Sequence, residues 1–351
     1  MKYIIPICLV LMTITSCKKN PVLETVDATV ENQTIESIGF APTPAYQWAL
    51  MPKYEVPYYP HNLPEDDNLV MVAGGVAYFL TGDLLSLRFK LNNSTKQWEI
   101  NNNPSVGYMG FAVFSVGFQY LFSHEGKIYN GLMQGGPEYN ENAFGSLDPI
   151  NGVTQSLAPY PGITTANPLC FVANGKGYII SGYTKAASPL VWEYNFTANT
   201  WTNKGNSPLG KRNGAVVFVA NNKVYMGLGY ENINLNGQTI KRYKRDWLEY
   251  IPGSIYSIVK ADFPGQLRRN AEGFVIGNTP YLGFGKNSTT YFKDFWKYNV
   301  SSNTWTQQPN WPGTTSTVNN NLAVFSLGTT GYVAKGRLSE FWRYSNSIFY
   351  P

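Results

Sequence analysis

The chain has 351 residues, of which 43% are hydrophobic and 14% charged, and this balance excludes a disordered chain and a coiled coil. Its formal net charge of +5 is mild for the length and gives no reason to expect a nucleic-acid partner. Only two histidines, His61 and His124, are present, so we expect no metal centre, no cofactor and no Ser-His-Asp hydrolase site. The 25 Tyr, 19 Phe and 9 Trp beside 33 Gly and 22 Pro favour an all-β protein.

The N-terminus has the pattern of a short export signal that ends at a cysteine. A basic residue, Lys2, precedes an apolar stretch over residues 4–14, which is too short to span a bilayer as a helix. The next residues lead to Cys17, and Ile-Thr-Ser-Cys at 14–17 resembles a bacterial lipobox, with Ile where Leu is usual. The alternative is an ordinary signal peptide that is cleaved elsewhere.

The lipobox resemblance implies a location and a membrane contact. It implies a lipoprotein signal peptide at residues 1–16, a lipid on Cys17 and a tether over residues 17–45, as in many lipoproteins of Bacteroidetes. Several acyl chains on one cysteine anchor a protein well, so we expect a lipid-anchored cell-envelope protein in the outer membrane. With Cys8 in the leader, Cys170 alone remains in an apolar run, where we expect a buried side chain and no disulfide.

The body of the chain repeats one pattern six times. Each copy has a short apolar run, a turn of Asn, Gly or Thr, and a strand with a central tyrosine, at Tyr78, Tyr129, Tyr178, Tyr225, Tyr281 and Tyr332. The tyrosines are 51, 49, 47, 56 and 51 residues apart, and five copies have Gly four residues later. Later strands carry Trp-x-Tyr and Thr-Trp elements, clearest in Trp296-Lys-Tyr298 and Thr304-Trp305. Four strands at a period near fifty residues predict the blade of a β-propeller.

These phased elements resemble kelch repeats over residues 68–351. The resemblance implies a six-bladed kelch-type β-propeller with four antiparallel strands per blade, which we assign to residues 46–351; seven blades are the minor alternative. A single four-stranded sheet exposes apolar surface on both faces, and stacking against the next blade covers it. Two segments remain open as the strand that closes the ring: residues 346–351 or the region around residues 45–50.

Two loops that lead into the innermost strands of blades four and five are basic. They contain Lys211-Arg212-Asn213 and Arg268-Arg269-Asn270, and their common Arg-Asn pair predicts that Arg212 and Arg269 lie near the channel mouth. An arginine there can clamp a carboxylate or phosphate by two parallel hydrogen bonds. The structural alternative is an arginine that ties adjacent blades through backbone carbonyls, as kelch repeats often have.

Further candidate binding residues lie in other loops of the same face. The segment 230–246 begins with Tyr230 and carries four cations at 241–245, which is typical of a contact for an acidic glycan, an anionic headgroup or a protein. The alternative is a solvated hairpin tip. Aromatic and polar residues in the blade-two loops suit sugar binding, namely Tyr108, Glu138 and Tyr139.

Two main classes of function remain open. The leading hypothesis is a non-catalytic, membrane-tethered binding module that presents its loop face to a glycan or an envelope protein. The alternative is an enzyme that resembles N-acetylneuraminate mutarotases (epimerases), which work with an arginine and an acid near the channel. No family motif matches these positions, so no role is carried over, and Arg212 or Arg269 is a candidate to hold a substrate carboxylate. Glu231 or Glu272 would then serve as general acid or base. A structural subunit of an outer-membrane assembly is the third possibility.

Overall fold

The computed structural model describes residues 45–51, 69–81, 86–100, 119–131, 142–163, 168–180, 189–252, 254, 256–314, 322–335 and 340–346. Within these ranges the regular structure consists of β-strands, with no helix. None of these residues therefore belongs to a helix long and apolar enough to cross a bilayer. The predicted Cys17, Tyr108, Glu138 and Tyr139 lie outside the described residues, as do the leader and nearly all of the tether.

Six four-stranded antiparallel sheets form the blades. Blade one contains β2 Leu69–Ala73, β3 Val76–Thr81, β4 Ser86–Leu91 and β5 Trp98–Ile100. Blade two contains β6 Gln119–His124, β7 Lys127–Gly131, β8 Phe144–Leu147 and β9 Thr154–Ser156. Blade three contains β10 Leu169–Ala173, β11 Lys176–Ile180, β12 Leu190–Asn195 and β13 Thr200–Asn206.

The remaining three blades follow the same plan. Blade four contains β14 Val216–Ala220, β15 Lys223–Gly227, β18 Trp247–Tyr250 and β19 Ser257–Val259, with an inserted hairpin of β16 Tyr230–Leu235 and β17 Gln238–Tyr243. Blade five contains β20 Glu272–Ile276, β21 Thr279–Gly283, β22 Phe295–Asn299 and β23 Thr304–Gln308. Blade six contains β24 Leu322–Leu327, β25 Thr330–Lys335, β26 Glu340–Ser345 and β1 Gln47–Leu50. The predicted six-bladed β-propeller is confirmed.

Apolar residues fill the spaces between successive blades. Phe218 and Trp247 of blade four pack in one cluster with Leu282 and Tyr298 of blade five. A similar cluster joins Phe274 and other residues of blade five to Val333 and Tyr344 of blade six. Each sheet therefore covers the apolar face of its neighbour, as the repeat requires. Cys170 is a free, partly buried cysteine at the edge of another cluster, and burial raises the pKa of its thiol.

The N-terminal strand closes the ring. β1 is antiparallel to β26 and forms the outer edge of blade six, with Gln47 opposite Ser345 and Leu50 opposite Trp342. Trp48 takes the position that Trp305 has in blade five: each indole N–H donates to a backbone carbonyl of the preceding blade at 2.9 Å. Of the two segments left open by the sequence, the one around residues 45–50 is therefore the closing strand.

The strand directions define two faces of the propeller. In each blade, the first strand starts and the second strand ends on the same side of the antiparallel sheet. The loops between a fourth strand and the next first strand therefore share a side with the loops between second and third strands. We call this side the loop face. β1 begins on the opposite side, because Gln47 pairs with the last residue of β26.

Candidate functional site

In blade four, Arg212 is bound within the loop that leads to the innermost strand. Its two terminal nitrogens donate to the two carboxylate oxygens of Asp246 at 2.8 Å each, and Nη1 also donates to the Leu228 carbonyl at 2.7 Å. Leu228 has a φ of 60°, a left-handed conformation that is costly for a branched residue. The arginine therefore fastens a strained turn at the end of the second strand to the residue that precedes the third strand.

Blade five repeats this arrangement with Arg268. Its terminal nitrogens donate to both oxygens of Asp294 at 2.7 Å, and Nη1 donates to the Phe284 carbonyl at 3.1 Å, where φ is 57°. Arg268 is 0% exposed, and its guanidinium lies 4.3 Å from the centre of the Phe292 ring. Arg212 and Arg268 therefore have the structural role that the sequence offered as the alternative, since both bind backbone carbonyls. The correction is that their side-chain bonds lie within one blade and do not join adjacent blades.

The register of the two loops differs from the one expected from the shared Arg-Asn pair. Arg212 corresponds to Arg268 by its contacts, so Arg269 corresponds to Asn213. The backbone agrees, because the left-handed residue that follows is Gly214 in blade four and Asn270 in blade five, with φ of 63° and 51°. Asparagine is one of the few residues that tolerates this conformation. Arg269 consequently has no counterpart arginine in blade four, and no aspartate among the described residues pairs with it.

Arg269 lies where the loops of blades four and five meet. Its backbone exchanges two hydrogen bonds with Lys286, at 2.8 and 3.0 Å, so the two residues are direct antiparallel partners. Side chains of such partners project from the same face of the ladder, and like charges there destabilise it. The Arg269 guanidinium is 5.6 Å from the Tyr230 ring centre, and its buried Nε has no hydrogen-bond partner.

Lys286 adds a second positive charge without a carboxylate partner. Its Nζ donates to the Tyr291 hydroxyl at 3.1 Å and lies 4.9 Å from the centre of that ring. Within the described part of the chain, no ion pair joins Arg269 or Lys286 to an aspartate or glutamate. The pair therefore leaves two positive charges uncompensated, one of them with a buried donor atom, and a negatively charged group is the partner this geometry accepts.

The hairpin β16–β17 stands beside these charges. Its two-residue turn is Asn236-Gly237, with φ of 51° and 81°, which is the turn that matches strand twist. The segment 230–246 is thus a paired hairpin, and its cations lie along and just after β17, whereas the tip is uncharged. The alternative of a solvated hairpin tip therefore does not describe the position of these cations.

The two faces of this hairpin differ in chemistry. On one face, Glu231 pairs with Arg242 and Lys244. Burial opposes ionisation of Glu231, but these two cations outweigh it and lower the pKa of its carboxyl. The carboxylate is therefore held ionised by partners of its own strand pair. The other face carries the buried Tyr230, whose ring has Lys241 Nζ at 5.2 Å.

Glu272 is the first residue of β20 and pairs with Gly283 at the loop face. Measured from the tyrosine partner, the same position holds Leu69, Leu169, Val216 and Ala323 in other blades. A carboxyl group among these apolar positions loses water, and this burial raises the pKa of Glu272 to about 8. Glu272 is therefore largely a neutral acid at pH 7, unlike the ionised Glu231.

Sequence reasoning found Arg212, Arg269, Tyr230, Glu231 and Glu272, and all five lie on the loop face of blades four and five. It missed the roles of Arg268 and Lys286. An acidic residue directly before the third strand, in Asp246-Trp247 and Asp294-Phe295, was the available signal for which arginines are neutralised. Within the described ranges, no group of three His, Cys, Asp or Glu side chains is placed to hold a metal ion.

Comparison with known proteins leaves the function open. No protein-family model matches the chain, and no curated protein matches it in sequence. Among solved structures, one described as the structure of YjhT is similar, with 16% sequence identity and a TM-score of 0.47. The match covers 59% of this chain and 69% of that chain. The function must therefore be argued from the site itself.

Proposed function

We propose that this protein is a binding module whose loop face, at blades four and five, holds an anionic ligand such as a glycan that carries a carboxylate. The observation that carries the proposal is the pair Arg269 and Lys286, two cations that are direct backbone partners and that form no ion pair with a carboxylate of the described residues. A carboxylate is a planar acceptor that matches the fork of an arginine, so it would bind the Arg269 guanidinium and offset both charges.

The charge balance of the surrounding loops supports an external anion. The carboxylates of Asp246, Asp294 and Glu231 already have arginine or lysine partners within their own blades. Tyr230 is buried beside the guanidinium, and its ring holds Arg269 in place by a cation–π contact. The planar fork of Arg269 favours a carboxylate, and the amide and hydroxyl groups of Asn232 and Thr239 on the neighbouring hairpin favour a sugar that carries it.

A glycan array with acidic and neutral members tests the proposal. We expect the wild-type propeller to bind acidic glycans and to lose affinity as salt rises. Arg269→Ala should weaken binding at least tenfold, which corresponds to about 1.4 kcal/mol. Arg245→Ala removes an exposed cation just beyond the hairpin and is the matched control. Wild-type binding that is indifferent to glycan charge, or equal in both variants, would refute the proposal.

The proposal includes a lipid anchor at Cys17 in the cell envelope, with a kelch-type propeller facing its ligand. Its support is the lipobox resemblance of residues 14–17. Metabolic labelling with a fatty acid should mark the wild-type protein and not Cys17→Ser. Equal labelling of both would remove the anchor from the proposal.

A sugar mutarotase is the second candidate function, and Glu272 is the observation that favours it. A neutral carboxyl on the loop face, three residues after Arg269, has the protonation state of a general acid at pH 7. Anomer exchange of an acidic sugar, followed by NMR, would show a rate above the buffer background that Glu272→Gln abolishes. A rate equal to the background would exclude this candidate and leave the binding module intact.

A further inference from the structure

We infer that the β16–β17 hairpin extends the anion site, so that the ligand is a chain of acidic sugars rather than a single sugar. This inference rests on the proposed function, since it assigns the ligand's length at the same site. Its geometric basis is a hairpin that belongs to none of the four-stranded blades and forms a two-stranded sheet of its own.

The register determines which side chains share a face of the hairpin. Tyr230 is opposite Tyr243, Asn232 is opposite Lys241, and Asn234 is opposite Thr239. Because side chains alternate along a strand, these three pairs project from one face, which we call the amide face. The intervening pairs, which include Ile233–Ile240 and Leu235–Gln238, project from the other.

The amide face is directed toward the anion site. Tyr230 belongs to it, and the ring of Tyr230 is contacted by Lys241 from the hairpin and by Arg269 from blade five. The face therefore begins at the uncompensated arginine and continues outward with amide, ammonium and hydroxyl groups. Along β16, the distance from Tyr230 to Asn234 is about 13 Å at about 3.3 Å per residue. This length exceeds one sugar ring.

The chemistry of the amide face suits a polyhydroxylated anion. Asn232 and Thr239 offer donors and acceptors that match sugar hydroxyls, and Lys241 offers a charge for a second carboxylate. The opposite face is unsuited to this task, because its exposed members include Leu235 and Ile240. A uronic-acid chain, with one carboxylate per ring, would place one acid at Arg269 and a later one along the hairpin.

A binding series over chain length tests the inference. Isothermal titration would compare monomers, trimers and hexamers of galacturonate, mannuronate and glucuronate, at one salt concentration. We expect at least one hexamer to bind more than tenfold more tightly than its monomer. The double variant Asn232→Ala, Thr239→Ala should lower hexamer affinity about five- to twentyfold and change monomer affinity by less than twofold. The control Gln238→Ala, Ile240→Ala alters the other hairpin face and should bind as the wild type does.

The outcomes separate this inference from the function on which it rests. If monomers bind through Arg269 and longer chains gain nothing, or the amide-face variant weakens monomer and hexamer equally, the extended site is refuted and the anion site stands. If no uronate binds the wild type at any length, this inference falls, and the glycan array alone then decides the anion site. A polyglutamate peptide that binds as tightly as the best hexamer would also refute the inference, because charge alone would then explain the affinity. Thermal unfolding of each variant confirms that the hairpin face, and not the fold, has been altered.

Discussion

Two adjacent arginines, Arg268 and Arg269, should respond differently to substitution by alanine, the first by a loss of stability and the second by a loss of ligand affinity. Arg268 is fully buried and makes four side-chain hydrogen bonds, two of them to Asp294. Removing one partner of a buried ion pair costs about 3–5 kcal/mol, because the other charge loses its compensation. Arg269 contributes a cation–π contact with Tyr230, worth about 0.5–1 kcal/mol.

These energies translate into distinct melting temperatures. At about 2.1 cal/mol/K per residue, a propeller of roughly 300 residues has an unfolding entropy near 630 cal/mol/K, so 1 kcal/mol shifts the midpoint by about 1.6 °C. Arg268→Ala should therefore lower the midpoint by about 5–8 °C. Arg269→Ala should lower it by less than about 2 °C.

Differential scanning calorimetry and ligand titration on the same samples complete the test. We expect Arg269→Ala to lose affinity for acidic sugars while it unfolds almost as the wild type does. Arg268→Ala should lose stability, and whatever affinity it loses should follow from the displaced loop. If Arg269→Ala destabilised the protein as much as Arg268→Ala, Arg269 would be a structural residue. The register assigned to these loops would then be wrong.

Three further substitutions test ring closure, the acid on the loop face and the junction of blades. Trp48→Ala should lower the free energy of unfolding by about 2–4 kcal/mol, because it removes an indole that packs on blades five and six and donates one hydrogen bond. Substitution of the neighbouring, exposed Gln47 by alanine should leave stability unchanged. Equal denaturation midpoints of the two variants in urea would contradict this. Glu272 binds a proton in the folded state that the unfolded state releases between pH 4.5 and about 8, so stability falls as pH rises through this window, by up to about 1.4 kcal/mol per unit. Glu272→Gln should therefore stabilise the protein at pH 8 and have little effect at pH 5, and a gain of the same size at both pH values would exclude the raised pKa. Gly229→Ala should lower the melting temperature far more than Gly237→Ala. Both glycines have positive φ, but only a Cβ at Gly229 would meet backbone, at 2.4 Å from the Asn213 carbonyl oxygen. Equal losses of melting temperature would contradict this expectation.

The repeat made the fold predictable, and the closing strand shows where prediction stopped. Six tyrosines at nearly equal spacing define six hairpins, because each tyrosine pairs with an aromatic or aliphatic residue of the preceding strand. Closure depends on a pairing between Gln47 and Ser345, which are almost 300 residues apart in the chain. No local pattern reports such a contact. Trp48 was nevertheless a usable signal, because blade six otherwise lacked the tryptophan of its fourth strand.

The candidate site was predictable in position and not in detail. Basic residues singled out the loops before blades four and five, and the strand order places both loops on the loop face. The alignment of Arg212 with Arg269 was wrong because it relied on the shared Arg-Asn sequence. The backbone conformations of the two loops give a different alignment. Gly214 and Asn270 both have left-handed backbone conformations and are therefore equivalent positions. This equivalence aligns Arg212 with Arg268, one residue before Arg269. Side-chain pairing then separates a neutralised arginine from an unpaired one, which spacing alone cannot do.

The proposed ligand site arises where blades four and five depart from their common plan. The shared elements, an arginine bound to an aspartate and a strained turn, hold both loops in the same conformation. On this common frame, blade five substitutes Arg269 for Asn213, and blade four inserts the β16–β17 hairpin after its second strand. The hairpin then brings Tyr230 against Arg269, so each departure contacts the other. If the hairpin and Arg269 served separate purposes, no contact between them would be expected. Without a ligand, the positive charge of Arg269 would also only destabilise the loop. The contact between the two departures is therefore the reason to regard them as one site.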